Sequence, residues 1–576
     1  MIGKAQEAID LLEGLPAAAR KELLAPERRL KLEAGQTLFE AGTNADAVYI
    51  VNKGTLAVYV DRPGVGRHLL ALVGQGEVIG EMAVISGLPR SATAVAIRDC
   101  ELIVISSSEF HRLEDRHPEL TRGLNRLLVS RLRQTSRSGG HSIEPRTNAI
   151  IPAAQGVDAV TVARRLAAEL ERTSLRVHIE PPCEDTASPP DLARIEAVHD
   201  LVFLCGNAKH HDWTGMCARQ ADRIIAVVDS GGSPDPHFPR SMLAERAAHQ
   251  LADLVVLHPS GTRRPSGTAR WLKELTPNRN FHLRDDVAGD WQHLGRVIAG
   301  TSVGLVLSGG GARAYAHIGV IRAMQEASIP IDFIGGSSMG AIVAACRAIG
   351  WSIDDMMIRV KRAFVEKNPL SDYSLPLIGL VRGKHVERLL ESAFGETEIP
   401  DLWRPFFCVS TNLTTGSSFV HRGGKLREAL RASISLPGIL PPVGHADGVL
   451  VDGGVMDNLP VKAMRSVNTG PVIAVDVARD LALSPQWLKE ATSGPLISRM
   501  LRPPMVSVLI RAGTINSEEQ SRLQLEAADL VITPPLGAIE IRDWKAFDRA
   551  VEIGYTHAAS VLSHEADRLL KPRRPQ

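Results

Sequence analysis

"FIGGSSMGAIV" occupies residues 333–343, and its reading decides the fold of the C-terminal half. An apolar run leads into two glycines, then Ser-Ser-Met-Gly, then small residues at helical spacing. Gly336-Ser337-Ser338-Met339-Gly340 matches G-x-S-x-G, in which a strand bends sharply into a helix and carries a serine at the bend. The flanking glycines matter because such a turn takes unusual backbone angles and has no room for side chains. "IDFIG" (331–335) reads as the strand and "MGAIVAACRAIG" (339–350) as the helix, so Ser338 sits where a helix dipole favours developing negative charge. Alone, the five residues describe an ordinary glycine turn better than a nucleophile, and the rest of the chain has to arbitrate.

One strand earlier, "LSGGGARAYAHIGV" (307–320) places Gly309, Gly310 and Gly311 between an apolar strand and a helix. Their backbone N–H groups can form a concave anion site, either a phosphate cradle or an oxyanion hole. A nucleotide cradle would bring G-x-G-x-x-G spacing or a lysine, and neither is here. With Ser338 one strand later, the oxyanion hole is favoured. Downstream, "LVDGGVMDNLPV" (450–461) sets Asp452 at a strand end before two glycines. It reads as the base that accepts the serine proton, or as an Asx turn before Gly-Gly. His557 and His564 lie further on, but on a helix and at surface positions, so a Ser–Asp dyad fits better than a triad.

In this order the three segments resemble the patatin-like phospholipases. "TNLTTG" (411–416), "RASISLPGILPPV" (431–443) and "DGGVMDNLPV" (452–461) narrow the resemblance to the bacterial branch similar to neuropathy target esterase. The resemblance implies a three-layer α/β/α fold and metal-free hydrolysis of acyl esters of phospholipids or lysophospholipids. By position it makes Ser338 the nucleophile, Asp452 the base, and Gly309, Gly310 and Gly311 the oxyanion hole. One departure stands out: Arg313 is followed by Ala314 where the family carries glycine, which forbids positive φ there. Arg313 reads as structural rather than as a phosphate contact, and Met339 as core. The stretch 369–390 reads as a lipid-access flap or as core packing.

The N-terminal third differs. "AVYIVNKGTLAVYV" (47–60), "HLLALVGQGEVIGEMAV" (68–84) and "ATAVAIRDCELIVIS" (92–106) alternate apolar residues with glycine turns, as an all-β barrel or sandwich does. Within it, Gly80-Glu81 is followed by Arg90-Ser91-Ala92. An arginine fork suits a phosphate, a glutamate suits a ribose hydroxyl, and small residues let backbone N–H groups approach; a surface Glu–Arg pair is the plain alternative. "IGEMA" (79–83) and "PRSAT" (89–93) resemble the phosphate cassette of cyclic nucleotide-binding domains, over about 28–135. That resemblance implies a β-roll with flanking helices, with Gly80 and Glu81 on the ribose and Arg90, Ser91 and Ala92 on the phosphate of cAMP or cGMP.

Between these parts, "NAIIPA", "DLVFLC", "RIIAVVD" and "DLVVLH" read as buried parallel strands of an α/β domain. The first leads into "AQGVDAVTVARRL" (154–166), where a P-loop would sit, but no G-x-x-x-x-G-K-[ST] is present. A degenerate Rossmann-like domain without nucleotide hydrolysis is expected. The expected organisation is a cyclic nucleotide-binding domain (1–134), a linker (135–147), the Rossmann-like domain (148–300), the hydrolase domain (301–480) and its helical extension (481–576).

The 576 residues exceed what one core supports, and 44% apolar with 23% charged content is ordinary for folded protein. A net charge of +1 and the absence of a basic helix pair after 135 argue against a nucleic-acid partner and a transcription regulator. Six scattered cysteines without C-x-x-C pairs suit a reducing compartment and no zinc site. No apolar run of transmembrane length and no signal peptide are found, so the expected location is cytoplasmic, with peripheral contact at the inner face of the membrane. A thioesterase, a neutral-lipid esterase and a non-catalytic lipid-binding scaffold are the alternatives, because a dyad specifies acyl transfer and not the acyl donor.

Overall fold

A computed structural model describes residues 28–62, 66–116, 145–183, 190–233, 251–367, 372, 379–478 and 524–570. Residues 1–27, the flanking helix expected beyond 116, nearly all of the linker, most of the 369–390 stretch up to 378 and the extension up to 523 lie outside the described residues. The chain divides into two units: Met1–Ser260 with Ala269–Ala299 and Pro572–Gln576, and Gly261–Thr268 with Gly300–Lys571.

In the first unit, two four-stranded antiparallel sheets form a roll. One orders Arg29–Leu32, Cys100–Ser106, Ala47–Lys53 and Val78–Ile79; the other Thr37–Phe39, Thr93–Ala96, Leu56–Arg62 and Gly66–Val73. The inward residues of the alternation, among them Tyr49, Val51, Leu56, Ala94 and Leu102, make one apolar core.

The middle sheet has six strands, all parallel: Val177–Glu180, Leu201–Cys205, Thr147–Pro152, Arg223–Asp229, Leu251–His258 and Arg279–Arg284, in spatial order. Numbered along the chain this order is 2-3-1-4-5-6, which departs from the 3-2-1-4-5-6 of dinucleotide-binding folds. The helix after the first strand, Ala159–Glu171, begins at Asp158, whose carboxylate accepts the N–H groups of Val160 and Thr161 at 3.1 and 3.2 Å. An anion of the chain's own thus fills the helix N-terminus where a phosphate would bind.

The roll and this sheet are joined by one buried ionic node. Arg98, just past the strand Thr93–Ala96, reaches Glu196 at 2.6 Å and Asp222 at 3.2 Å, and Thr55 donates to Asp222 at 2.9 Å. Burial works against the Arg98 charge, but Asp222 and Glu196 outweigh it and hold the guanidinium above its ordinary range.

The second unit is built on an eight-stranded mixed sheet. Its order is Val443–His445, Gly448–Asp452, Phe406–Asn412, Phe333–Ser337, Gly304–Leu307, Val472–Val475 and Leu530–Ile532, with Ser417–His421 also paired to Phe406–Asn412. The C-terminal extension was expected to be helical; it supplies the edge strand Leu530–Ile532, because the apolar run of "ADLVIT" extends the parallel sheet beside Val472–Val475. The long helix Phe547–Leu570 then packs on Ala316–Glu326, with Gly319 and Gly554 each so close to the opposite backbone that neither tolerates a Cβ.

The strand Phe406–Asn412 is the template for the site. Residues up to Val409 pair in parallel with Phe333–Ser337, and from Ser410 onward the partner becomes the antiparallel Gly448–Asp452. Ser337 therefore lies opposite Val409 and Asp452 opposite Ser410, so two strand ends converge at neighbouring positions.

Candidate functional site

Ser338 follows that convergence directly and opens the helix Ser338–Ala348. Its φ is +52°, a left-handed conformation for a non-glycine residue, with a cost of order 1 kcal/mol. The bend presses against the preceding strand: a Cβ on Gly336 would lie 2.5 Å from the Leu307 carbonyl, and one on Gly340 would strike the carbonyls of Leu307 and Ser308. Substitution at either glycine would push the glycine loop and the bend apart.

Ser338 Oγ donates to Asp452 Oδ2 at 2.7 Å. The other carboxylate oxygen, Oδ1, accepts the Gly454 N–H at 2.8 Å. The base geometry and the Asx turn, alternatives at the sequence level, thus coexist on the two oxygens of one side chain. Burial pushes the Asp452 carboxyl up to about 6, against the lowering effect of the Ser338 hydroxyl and the Gly454 amide. A close approach of backbone here requires glycine at 453, where a Cβ would meet Ser337 Oγ at 2.6 Å.

The glycine loop lies alongside, with a Cβ on Gly309 only 2.9 Å from the Ser338 Cβ. Its three residues are not equivalent. The Gly309 N–H is engaged by Asn458, through the backbone carbonyl at 3.3 Å and the side-chain oxygen at 3.2 Å. Gly309, expected with Gly310 and Gly311 in the oxyanion hole, thus has its N–H bonded to Asn458 in this structure. Gly310 and Gly311 make no such bond among the described residues. His317 anchors the loop from behind, Nε2 to the Ser308 carbonyl at 2.9 Å, and burial lowers its pKa to about 4 despite that bond. The neutral ring then donates from Nε2.

Arg313 is buried and donates to the Ile539 carbonyl at 2.7 Å, the structural role. Ala314 lies in the 3-10 turn Gly311–Tyr315 and takes no positive φ, so replacing the usual glycine strains nothing. Met339 is core, His557 is half-buried and His564 exposed on the terminal helix. Sequence reasoning missed Asn458, Asp457 and Ser433. Asp457 accepts from Gln524 at 2.7 Å, and burial pushes its carboxyl up to about 6 against Gln524 and Lys462. Ser433 Oγ accepts the Ser338 N–H at 3.0 Å. The only local signal for Asn458 was its place six residues after Asp452 in the quoted motif.

In the roll, Gly80 (φ +88°) precedes the short helix Glu81–Ser86. Arg90 is buried, and its guanidinium donates to the carbonyls of Gly80 at 2.8 Å and Ala47 at 2.7 Å and to Asp46 at 3.2 Å. It also stacks 4.4 Å from the Phe39 ring centroid. Glu81 and Ala92 are buried and Ser91 is exposed. The surface-pair reading of Glu81 and Arg90 fails on burial. Arg90 Nε has no partner, and the facing Asp46 carboxylate is 80% exposed, so an incoming phosphate would find an unspent donor and a displaceable competitor. The residues present fit a cyclic nucleotide.

Comparison with known proteins agrees with this layout. Residues 305–465 match the patatin-like phospholipase family, 29–117 the cyclic nucleotide-binding domain, and 191–289 the neuropathy target esterase family P-loop like domain. The class is therefore a patatin-like lipid ester hydrolase carrying a cyclic nucleotide-binding domain. An NTE family protein of Mycobacterium tuberculosis is 32% identical over 97% of this chain and 96% of its own length, and the chain belongs to the NTE family. Lysophospholipase NTE1 of Pyricularia oryzae and patatin-like phospholipase domain-containing protein 6 of Homo sapiens are each 28% identical, over 93% and 92% of this chain. The chain spans 42% and 44% of those two proteins. Among the described residues, no helix is long and apolar enough to cross a membrane, and no His, Cys, Asp and Glu cluster could hold a metal ion.

Proposed function

We propose that this protein hydrolyses acyl esters of phospholipids or lysophospholipids through a Ser338–Asp452 dyad, and that a cyclic nucleotide bound at Arg90 regulates it. The observation that carries the reading is the 2.7 Å hydrogen bond from Ser338 to a buried carboxylate that, among the described residues, has no cation beside it, with the glycine loop adjacent. Ser338 Oγ attacks the acyl carbonyl carbon while its proton passes to Asp452. The N–H groups of Gly310 and Gly311 stabilise the tetrahedral oxyanion. Collapse breaks the ester C–O bond, and the leaving alkoxide takes the proton back from Asp452. Asp452 then deprotonates water, which attacks the acyl-enzyme; collapse breaks the Ser338 Oγ–acyl bond, and Asp452 returns the proton to Ser338 Oγ as the fatty acid leaves.

Two exposed apolar side chains, Leu413 and Val449, sit where the strands of the dyad run on towards solvent, their backbones joined at 2.8 Å. Their position supports a substrate met at a membrane surface, with the chain attached peripherally. At the cassette, Arg90 with the backbone around Ser91 and Ala92 would hold the phosphate, and Gly80 and Glu81 the ribose.

The test is hydrolysis of lysophosphatidylcholine and a short-chain p-nitrophenyl ester by wild type, Ser338→Ala and Asp452→Asn, with and without cAMP or cGMP. Loss of about 10³-fold or more in both variants is expected. Full turnover by either variant sinks the dyad, and unchanged rates at a saturating nucleotide that demonstrably binds sink the regulation.

A further inference from the structure

The segment "RASISLPGILPPV" (431–443) served above only as a family phrase, yet its first turn touches both members of the dyad. The helix Leu426–Ser433 ends at the seam where the template strand changes partners. Ser433 is fully buried, and its hydroxyl makes two bonds: it donates to the Val409 carbonyl at 2.6 Å and accepts the Ser338 N–H at 3.0 Å. Two residues on, the Ser435 carbonyl accepts the Asp452 N–H at 3.0 Å. The Ser435 hydroxyl ties the same turn together by donating to the Arg431 carbonyl at 2.6 Å.

The geometry points to Ser433 as a positioning residue for the reaction: its hydroxyl bridges Val409 to the backbone of Ser338 and fixes the bend that presents Ser338 Oγ to Asp452. This rests on the dyad reading above. A left-handed serine is held only if its surroundings over-determine it, and the bond from its N–H to Ser433 Oγ is one of the contacts that hold it. Val409 is the last template residue paired with the bend strand, and Asp452 faces the next. A hydroxyl anchored at that point therefore references the nucleophile to the strand that also locates the base. Without it, the Ser338 N–H loses its acceptor in a buried site and the bend relaxes. The 2.7 Å contact lengthens, while surfaces that bind lipid stay as they were.

The experiment compares Ser433→Ala and Ser433→Cys with Ser338→Ala and with Ser302→Ala, a matched buried serine that donates to Asn468 at 2.6 Å in the same unit. Readouts are kcat and KM for the p-nitrophenyl ester, the rate of covalent labelling by a fluorophosphonate, and Tm. Ser433→Ala is expected to lower kcat and labelling rate about 10- to 100-fold with KM within about twofold, since a 1 Å misplacement costs on that scale. Ser433→Cys, which keeps a weak donor and acceptor, falls between. Ser302→Ala loses Tm but keeps wild-type kcat. Wild-type kcat and labelling in the Ser433 variants, or kcat losses no larger than Ser302→Ala shows at equal Tm, overturn the proposal. Should Ser433→Ala fail to fold, the Cys variant decides on the same criterion. Turnover and labelling that persist in Ser338→Ala sink the dyad, and this inference with it.

Discussion

The Ser338–Asp452 corner and the Arg90 cassette are built from similar parts: a glycine, a helix start and a buried charge. They treat that charge in opposite ways. Asp452 is buried with a hydroxyl and one amide for company and, among the described residues, no cation, so its carboxyl is pushed up to about 6 by burial. Arg90 is buried against two carbonyls, a carboxylate and an aromatic face. An undercompensated charge is thermodynamically ready to accept a proton, which suits chemistry. A well-compensated one is inert until a better anion displaces its partner, which suits a receptor.

Removing the Arg90 fork should produce the larger effect of those that separate the two sites. Arg90→Ala is expected to weaken cyclic nucleotide binding about 100-fold by calorimetry, the loss of two hydrogen bonds to a charged group, while unstimulated ester hydrolysis stays at the wild-type rate. Equal loss of basal hydrolysis would show that the cassette is structural. At the other site the discriminating variable is pH. The base must be ionised, so kcat/KM should fall about tenfold for each unit below pH 6. The stability sign is opposite. Because the folded carboxyl titrates above its unfolded value near 4, the fold gains from protonation at low pH and loses that gain as pH rises through about 6. A kcat/KM profile flat down to pH 4.5 would mean that Asp452 is not the base.

Much of the geometry of the candidate site was legible because it is local. G-S-S-M-G and D-G-G keep their glycines within two or three residues of the reactive atom, so each leaves a local mark, and the three segments in their order give those marks a common reading. Asn458 and Ser433 act on residues 149 and 95 positions away, across a register that no periodicity encodes. That is why Gly309 read as a donor when its N–H is already taken. The middle sheet shows the same limit. Its buried parallel strands were plain from four apolar runs, but their spatial order depends on crossovers that leave no mark in composition. The missing lysine of the P-loop was visible, whereas the Asp158 cap, which takes the place of a phosphate at that helix N-terminus, was not singled out. Arg98 is equally silent: one arginine after a strand, whose partners Glu196 and Asp222 lie about a hundred residues on.

The smallest of these effects should come from removing the cassette's own anion. Asp46 is 80% exposed and bonds Arg90 at 3.2 Å, so it is a weak ligand to a buried fork whose other bonds are to backbone. Exposed ion pairs contribute up to about 1 kcal/mol, which bounds the competition it offers a phosphate to about fivefold. Asp46→Ala should therefore tighten cyclic nucleotide binding by about two- to fivefold in a titration at low salt, and the gain should shrink as salt screens the pair. The carbonyls of Gly80 and Ala47 would keep Arg90 in place, so no loss of roll stability is expected. Weaker binding in Asp46→Ala would invert the argument. It would mean that Asp46 orients the fork rather than competing for it, and that the cassette, like the catalytic corner, depends on a carboxylate set in advance.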